Sequence, residues 1–390
     1  MTPEARHAAA AAILDEARAG RPVEQVLTNW ARGNRYAGSG DRAAIRDIVF
    51  DAIRCRRSAA SRGGGETGRA LILGLLRDRG TDPDLVFTGG RFALNRLSEA
   101  ERWAGAAPSG NAALDIPDWL APELKRSLGA SFEAVCEAFR VRADVFLRWN
   151  EARTTAREAM DLLAQDGIET EPHPLAPTAL RVLHGARRIR MSAPYADGLV
   201  ELQDAASQAV CASLKVAPST RVLDYCAGGG GKSLALAARG ATVDAHDADW
   251  GRMADIVPRA RRAGCTIARL RTGELAKQGP YPLVVVDAPC SGSGAWRRQA
   301  EAKWTLTPTR LAEVMAVQSD VLRAGSAHVA PGGRLAYMTC SLLTCENDAP
   351  IEQFLEDTLG RWTQIERRVL SPLSGGDGFF LALLEHTDQP

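Results

Sequence analysis

The sequence predicts an α/β protein with a mostly parallel, doubly wound sheet in its C-terminal half. A small α/β subdomain and an all-helical N-terminal region precede that sheet. Three observations carry this expectation. From about residue 200, apolar strand patterns alternate with helical ones, the order that builds a parallel sheet. The run Leu283 to Val286 is unbroken and ends at Asp287, as in a strand buried on both faces. Before about residue 130, apolar residues recur at helical spacing and no convincing strand is found.

In the first region, Ala8, Ile13, Leu14 and Ala17 line one helix over residues 4–20. Val23, Val26, Leu27 and Trp30 line a second. Asp41 is expected to cap a third helix, through Ile45, Val49 and Ile53, and Leu71 to Leu76 mark a fourth. Arg54, Arg56, Arg57 and Arg62 form a basic cluster, read equally as a solvated helix end or an RNA contact. A connector helix is expected across 121–140. Strands at 143–149 and 179–183 flank an amphipathic helix at 154–167, which defines the small subdomain. The expected domains are therefore 1–130, 131–199 and 200–390. In the last, strands fall at 221–226, 242–247, 266–270, 283–287, 334–340 and 379–384, with helices at 204–214, 232–239, 250–263, 308–328 and 346–358.

Composition narrows the function. Net charge is +1, so any polyanion must be bound by local patches. Five Lys stand against 43 Arg, and two of the Lys fall inside the motifs below. The eight Cys form no CxxC pair, and no His sits at ligand spacing to a Cys. That argues for reduced thiols and no metal site. No apolar run reaches membrane-spanning length, and the N-terminus lacks a signal-peptide pattern, so a cytoplasmic, monomeric protein is expected.

Two constellations carry chemistry. The first is DYCAGGGGKS (224–233), between a strand and a helix. Its glycines let backbone pass close to a ligand, and a helix N-terminus offers free N–H donors. Asp247 ends the next strand, where an acid accepts ribose hydroxyls. A phosphate-binding P-loop would need Gly where Cys226 stands, and a dinucleotide GxGxxG would need Gly at Ser233. An S-adenosylmethionine pocket needs only the glycine turn and the acid. The second constellation is a pair of strand ends. DAPCSGSGAWRRQAEAKW (287–304) carries Asp287 and Cys290, followed by Trp296, Arg297, Arg298, Lys303 and Trp304. TCS (339–341) carries Cys340, followed by Glu346 and Asn347. Two cysteines at strand ends, one close to an acid, point to thiol chemistry. The residues themselves leave open which sulfur attacks.

DYCAGGGGKS, DAHDAD, DAPCSGSGAWRRQAEAKW, YMTCSLLTCEND and DGFFLALL together resemble, in order, the Sun or RsmB-type RNA cytosine-5 methyltransferases. AGSGDRAAIRDIVFDAIRCRRSA near the N-terminus is similar to the NusB-like RNA-binding domain of the bacterial ribosomal RNA branch. The resemblance implies a class I, Rossmann-like methyltransferase fold using S-adenosyl-L-methionine. It implies that Cys226, Ala227, Gly228, Gly229, Gly230, Gly231 and Lys232 wrap the cofactor, that Asp247 binds its ribose, and that Asp287 lies near both cofactor and base. It makes Cys340 the nucleophile and Cys290 the thiol that assists product release. Lys303, Arg297 and Arg298 are the expected RNA contacts. The turn departs from the family's Cys-Ala-Ala-Pro-Gly-Gly-Lys at Gly228 and Gly229, and Glu274 is the acid nearest the usual adenine contact. The expected activity is 5-methylcytosine formation in small-subunit ribosomal RNA. A transfer RNA substrate, a nucleoside triphosphatase and a non-catalytic RNA-binding assembly factor are the competing readings.

Overall fold

The computed structural model describes residues 1–387. The expected catalytic domain therefore runs three residues past the described chain. The chain divides into two compact units, one of Met1–Arg142 with Trp296–Thr305, the other of Ala143–Ala295 with the chain from Leu306 onward.

The first unit is helical, as its apolar periodicity predicts. Its main helices are Pro3–Arg18, Val23–Gly33, Ser39–Arg54, Arg56–Gly63, Gly68–Asp78, Ala121–Leu128 and Phe132–Phe139. Their core gathers Ile13, Val26, Ile45, Val49, Ile72 and Phe87. Asp41 does not cap its helix from outside, because the helix begins two residues earlier at Ser39. Asp41 instead stands in the first turn, where its carboxylate accepts the Gly38 N–H at 3.2 Å. The single helix expected over 121–140 is two, broken at Gly129, whose φ of +52° takes the chain out of the helical region.

Two parts of this unit depart from the expected domain limits. The helix Phe132–Phe139, expected within the 131–199 segment, packs with this unit. Its buried Phe139 meets Trp296 edge to face, with ring centroids 5.5 Å apart. Residues 296–305 belong here as well. The Arg297 carbonyl accepts from Arg54 Nε at 2.9 Å, and Trp304 Nε1 donates to the Ile53 carbonyl at 2.7 Å. Glu301 takes the Val23 N–H at the start of its helix, 3.2 Å away.

Lys303 is buried in this unit with only 1% of its surface exposed, and its Nζ donates to the Arg54 carbonyl at 3.3 Å. Burial pushes its ammonium down to about 8, although the Asp115 carboxyl pulls the other way. The folded chain then gives up this proton before the unfolded chain does, so this residue adds stability as pH rises through 8 toward 10.5. Burial raises the nearby thiols Cys55 and Cys136 to about 11 and about 12, which gives the opposite slope. A comparison of two variants isolates the lysine. Between pH 8 and 9.5 the wild type is expected to gain about 2 kcal/mol over Lys303→Met in denaturant unfolding. Parallel pH profiles for the two proteins would show that the ammonium is not buried.

The second unit holds two sheets. The smaller has four strands, β1 (Val145–Trp149), β2 (Glu169–Pro172), β3 (Ala179–His184) and β4 (Val200–Leu202). They lie in the order β2-β3-β1-β4 with antiparallel pairings. β1 and β3 are the two strands the sequence pattern reveals. The helix Ala156–Gln165 starts with a capping box of Thr155 and Glu158. This subdomain shares a compact unit with the larger sheet rather than standing apart. The buried Arg148 on β1 donates to the Gly231 carbonyl at 3.1 Å, and Asn150 Nδ2 donates to the Ala263 carbonyl at 2.9 Å.

The larger sheet comprises β5 (Arg221–Asp224), β6 (Thr242–His246), β7 (Ile267–Leu270), β8 (Tyr281–Asp287), β9 (Val329–Thr339), β10 (Trp362–Leu370) and β11 (Phe379–His386). Their order is β10-β11-β9-β8-β5-β6-β7. β5 to β9 pair in parallel, while β11 runs antiparallel to both β9 and β10. Apolar side chains cover both faces of β8, with Leu283, Val284, Val285 and Val286 each fully buried. From β5 the chain winds outward through β6 and β7, then returns to place β8 on the opposite side. The gap between β5 and β8 is thus a topological switch point, where loops diverge and open a crevice at the carboxyl edge. β10 is absent from the sequence expectations. It is an edge strand with only Trp362 and Leu370 buried, and its charged middle is the pattern that protects an edge.

Candidate active site

The switch point is built from four loops. β5 runs into the glycine turn, which leads to the helix Gly231–Ala238. Ala227 N–H donates to the His246 carbonyl at 2.8 Å, tying this turn to the end of β6. Gly230 has φ +78°, and a Cβ there would lie 2.8 Å from Ile256 Cγ1, so both conformation and space require glycine. The Asp247 carboxylate accepts the Gly228 N–H and the Asp249 N–H, each at 3.0 Å. Arg252 stands 3.2 Å away. Its Nη1 also donates to Oδ1, at 3.4 Å. A glycine turn with an acid fixed beside it is the donor set that fits an adenosine-bearing cofactor. Glu274, in contrast, accepts the Arg271 N–H at 2.7 Å and closes the first turn of its own short helix.

Lys232 and Asp287 meet across the switch point. Nζ to Oδ2 is 2.5 Å, and the ammonium lies over the Phe379 ring at 4.9 Å. The Asp287 charge holds the buried ammonium above the usual lysine range, despite burial working against it. Beneath them, burial raises the Asp224 carboxyl to about 6, although Ser233 Oγ donates to it at 2.5 Å.

The two cysteines are brought together. Asp287 and Met338 are cross-strand partners on β8 and β9, so the loops after these strands emerge side by side. Cys290 and Cys340 face each other with their sulfurs 3.4 Å apart, and both are partly exposed. The hydrogen bond to Cys340 and burial hold the Cys290 thiol well above its ordinary range. Cys345, five residues on, is not part of the pair.

A buried hub fixes both loops, and the sequence pattern does not announce it. Glu346 is fully buried. Its carboxylate accepts the Ser291 N–H at 2.7 Å, Gln318 Nε2 at 3.1 Å, Ser291 Oγ at 2.5 Å, and the Ser341 hydroxyl. Ser293 bridges Ser341 Oγ at 3.0 Å and the Leu342 N–H at 2.8 Å. Thr339 and Asn347 close the far side at 2.6 Å. One signal was available: three serines flank the two cysteines, and an acid follows the second. A third loop completes the frame. Gly294 N–H donates to the Cys340 carbonyl, and the Gly294 carbonyl accepts the Gly378 N–H, both at 2.9 Å.

Lys303 and Arg297 lie in the helical unit, largely buried, and Arg298 is exposed there. Lys303 was expected as an RNA contact; its ammonium instead faces a backbone carbonyl inside that unit. Among the described residues no group of three or more His, Cys, Asp or Glu could hold a metal ion. No described helix is long and apolar enough to cross a membrane.

The parallel sheet, the glycine turn with its acid and the crevice at the switch point define a Rossmann-like methyltransferase fold. Residues 211–385 match the family of 16S rRNA methyltransferases RsmB/F, and residues 116–189 match the ferredoxin-like domain of RsmF/B-like methyltransferases. The chain belongs to the RsmB/F family. The ribosomal RNA small subunit methyltransferase B of Serratia proteamaculans is 31% identical over 289 residues, and that of Citrobacter koseri is 33% identical over 287. Each match covers 69% of this chain and 66% of the relative, just under two thirds of the relatives' length. Among solved structures, PH0851 superposes with a TM-score of 0.77 at 21% identity, covering 99% of both chains. A methyltransferase homologue from Pyrococcus horikoshii gives 0.61 at 22% identity, covering 70% of this chain and 96% of its own.

Proposed function

We propose that this protein is an S-adenosylmethionine-dependent RNA methyltransferase that forms 5-methylcytosine in small-subunit ribosomal RNA through a covalent adduct on Cys340. The observation that carries the reading is the pair of sulfurs, 3.4 Å apart, beside Asp287 at the switch point. Membership of the RsmB/F family supports the substrate class, and RNA is the partner.

Cytosine C5 is a weak nucleophile. Addition of the Cys340 thiolate to C6 makes C5 electron-rich enough to take a methyl group. The cofactor supplies that methyl when bound. Asp247 would hold its ribose and the turn Cys226–Lys232 would wrap it, with Lys232 anchored on Asp287. Asp287 accepts a hydrogen bond from the cytosine amino group and so orients the ring. After methyl transfer the C5 proton is lost to solvent, the C5–C6 double bond re-forms as the C6–S bond breaks, and Cys290, held protonated beside Cys340, gives its proton to the departing Cys340 sulfur. The target base must be unstacked to reach the sulfurs, as for other enzymes that act on a base. Arg297, Arg298 and Lys303 were expected RNA contacts; of these the exposed Arg298 keeps that proposed role.

The test of substrate is bisulfite sequencing of total RNA with and without the protein. Loss of one methylcytosine from small-subunit rRNA supports the reading, loss from transfer RNA redirects it, and no loss removes it. The cofactor has a separate test. S-adenosylmethionine is expected to raise Tm and ATP to leave it unchanged. Asp247→Asn should weaken S-adenosylmethionine binding about tenfold by calorimetry, the scale of one charged hydrogen bond.

A further inference from the structure

We propose that Cys290 and Cys340 form a site of reversible oxidation, closed by peroxide to a disulfide that switches the protein off. The consequence for activity rests on the function proposed above; the disulfide rests on geometry alone. The two sulfurs stand 3.4 Å apart on adjacent loops. A disulfide needs about 2.0 Å between them, so they must close by roughly 1.4 Å. Cys290 lies in the loop between β8 and the short turn Ser293–Ala295, a segment of small residues. Below it the Glu346 hub holds Ser291 and Ser341, which keeps the two loops in register while the sulfurs approach.

The chemistry balances. The Cys340 thiolate attacks one oxygen of hydrogen peroxide. The O–O bond breaks, hydroxide leaves and takes up a proton to become water, and Cys340 becomes a sulfenic acid. The Cys290 sulfur then attacks the Cys340 sulfur. The S–S bond forms, the S–O bond breaks, and the departing oxygen leaves as a second water with the Cys290 proton. Two thiols lose two electrons, and one peroxide is reduced. A thiol reductant reverses the change by exchange.

Proximity makes the site selective. Cys226, Cys265 and Cys345 are partly exposed as well and Cys55, Cys136 and Cys211 are buried, but Cys290 and Cys340 are the sulfurs that stand 3.4 Å apart. Burial raises the Cys55, Cys136 and Cys211 thiols to about 11, about 12 and about 11, which suppresses their reaction with peroxide. With a second thiol this near, the sulfenic acid is captured before it oxidises further. An ordinary strand-end cysteine has no such protection.

The experiment uses the full chain, treated with hydrogen peroxide, blocked with N-ethylmaleimide and digested without reductant. Mass spectrometry is expected to find a linked Cys290–Cys340 peptide. Methyl transfer should fall by about tenfold or more in step with the linked fraction, and return with dithiothreitol. Cys290→Ser should yield no linked peptide, and its Cys340 should proceed to sulfinic and sulfonic acid. Recovery of the two cysteines as separate peptides from the oxidised wild type, alkylated or over-oxidised, overturns the proposal. If the linked peptide forms in a protein that never transferred methyl while reduced, the oxidation site stands and the function proposed for it fails.

Discussion

Cys340→Ala is expected to abolish methyl transfer, with a loss of about a thousandfold or more, and to trap no RNA on the protein. Cys290→Ala is expected to do something different. It should accumulate RNA bound covalently to the protein, visible as a slow-migrating band in denaturing gels. The difference follows from the roles proposed for the two sulfurs. The hydrogen bond to Cys340 and burial hold Cys290 as the thiol, which suits it to act as the acid for release while Cys340 adds to the base. A trapped adduct in Cys340→Ala would reverse the assignment and make Cys290 the nucleophile.

Gly294→Ala is expected to be nearly as damaging, although it touches no sulfur. A Cβ at Gly294 would lie 2.1 Å from the Gly378 carbonyl oxygen and 2.5 Å from its carbon. Both are backbone atoms, so one loop must move. Gly294 also donates to the Cys340 carbonyl, so the displacement passes directly to Cys340, the proposed nucleophile. A shift near 1 Å at a reacting group costs about a hundredfold in rate. The overpacking itself costs on the order of 1–3 kcal/mol of stability. Gly378→Ala should be milder, because its Cβ meets the Leu342 side chain at 2.6 Å and the Gly294 Cα at 2.8 Å, a smaller backbone overlap than the one at Gly294. Steady-state rates and Tm for the two variants check the order. Equal rates, or a near-normal Gly294→Ala, would mean that the three loops are not held as one frame.

Legibility from sequence tracked how local each signal was. The glycine turn, Asp247, Asp287 and the two strand-end cysteines were all visible, because each sits directly after a patterned strand. The parallel sheet was visible for the same reason: β8 is apolar without interruption. Glu346 was noted only as a neighbour of Cys340. Its role depends on Ser291 and Gln318, which are 55 and 28 residues away. Lys303 reads as a substrate cation when seen beside Arg297 and Arg298, yet its surroundings, Arg54 and Asp115, come from the far end of the chain. β10 was hidden by the charge that protects its edge. β4 is three residues long and pairs only with β1, too short to show a period.

The segment Trp296–Thr305 also bears on how the molecule is made. It completes a core whose other residues lie before position 143, so about 150 residues of another unit are synthesised in between. At typical elongation rates the helical unit waits roughly 10 to 30 s for its last piece. Until then Phe139 lacks its indole partner and the Val23 helix lacks the carboxylate at its start. The nascent helical unit is thus a waiting intermediate, sealed only when the chain that has just passed Cys290 returns to close it. A chaperone that acts on this protein during synthesis would find its apolar target in that interval.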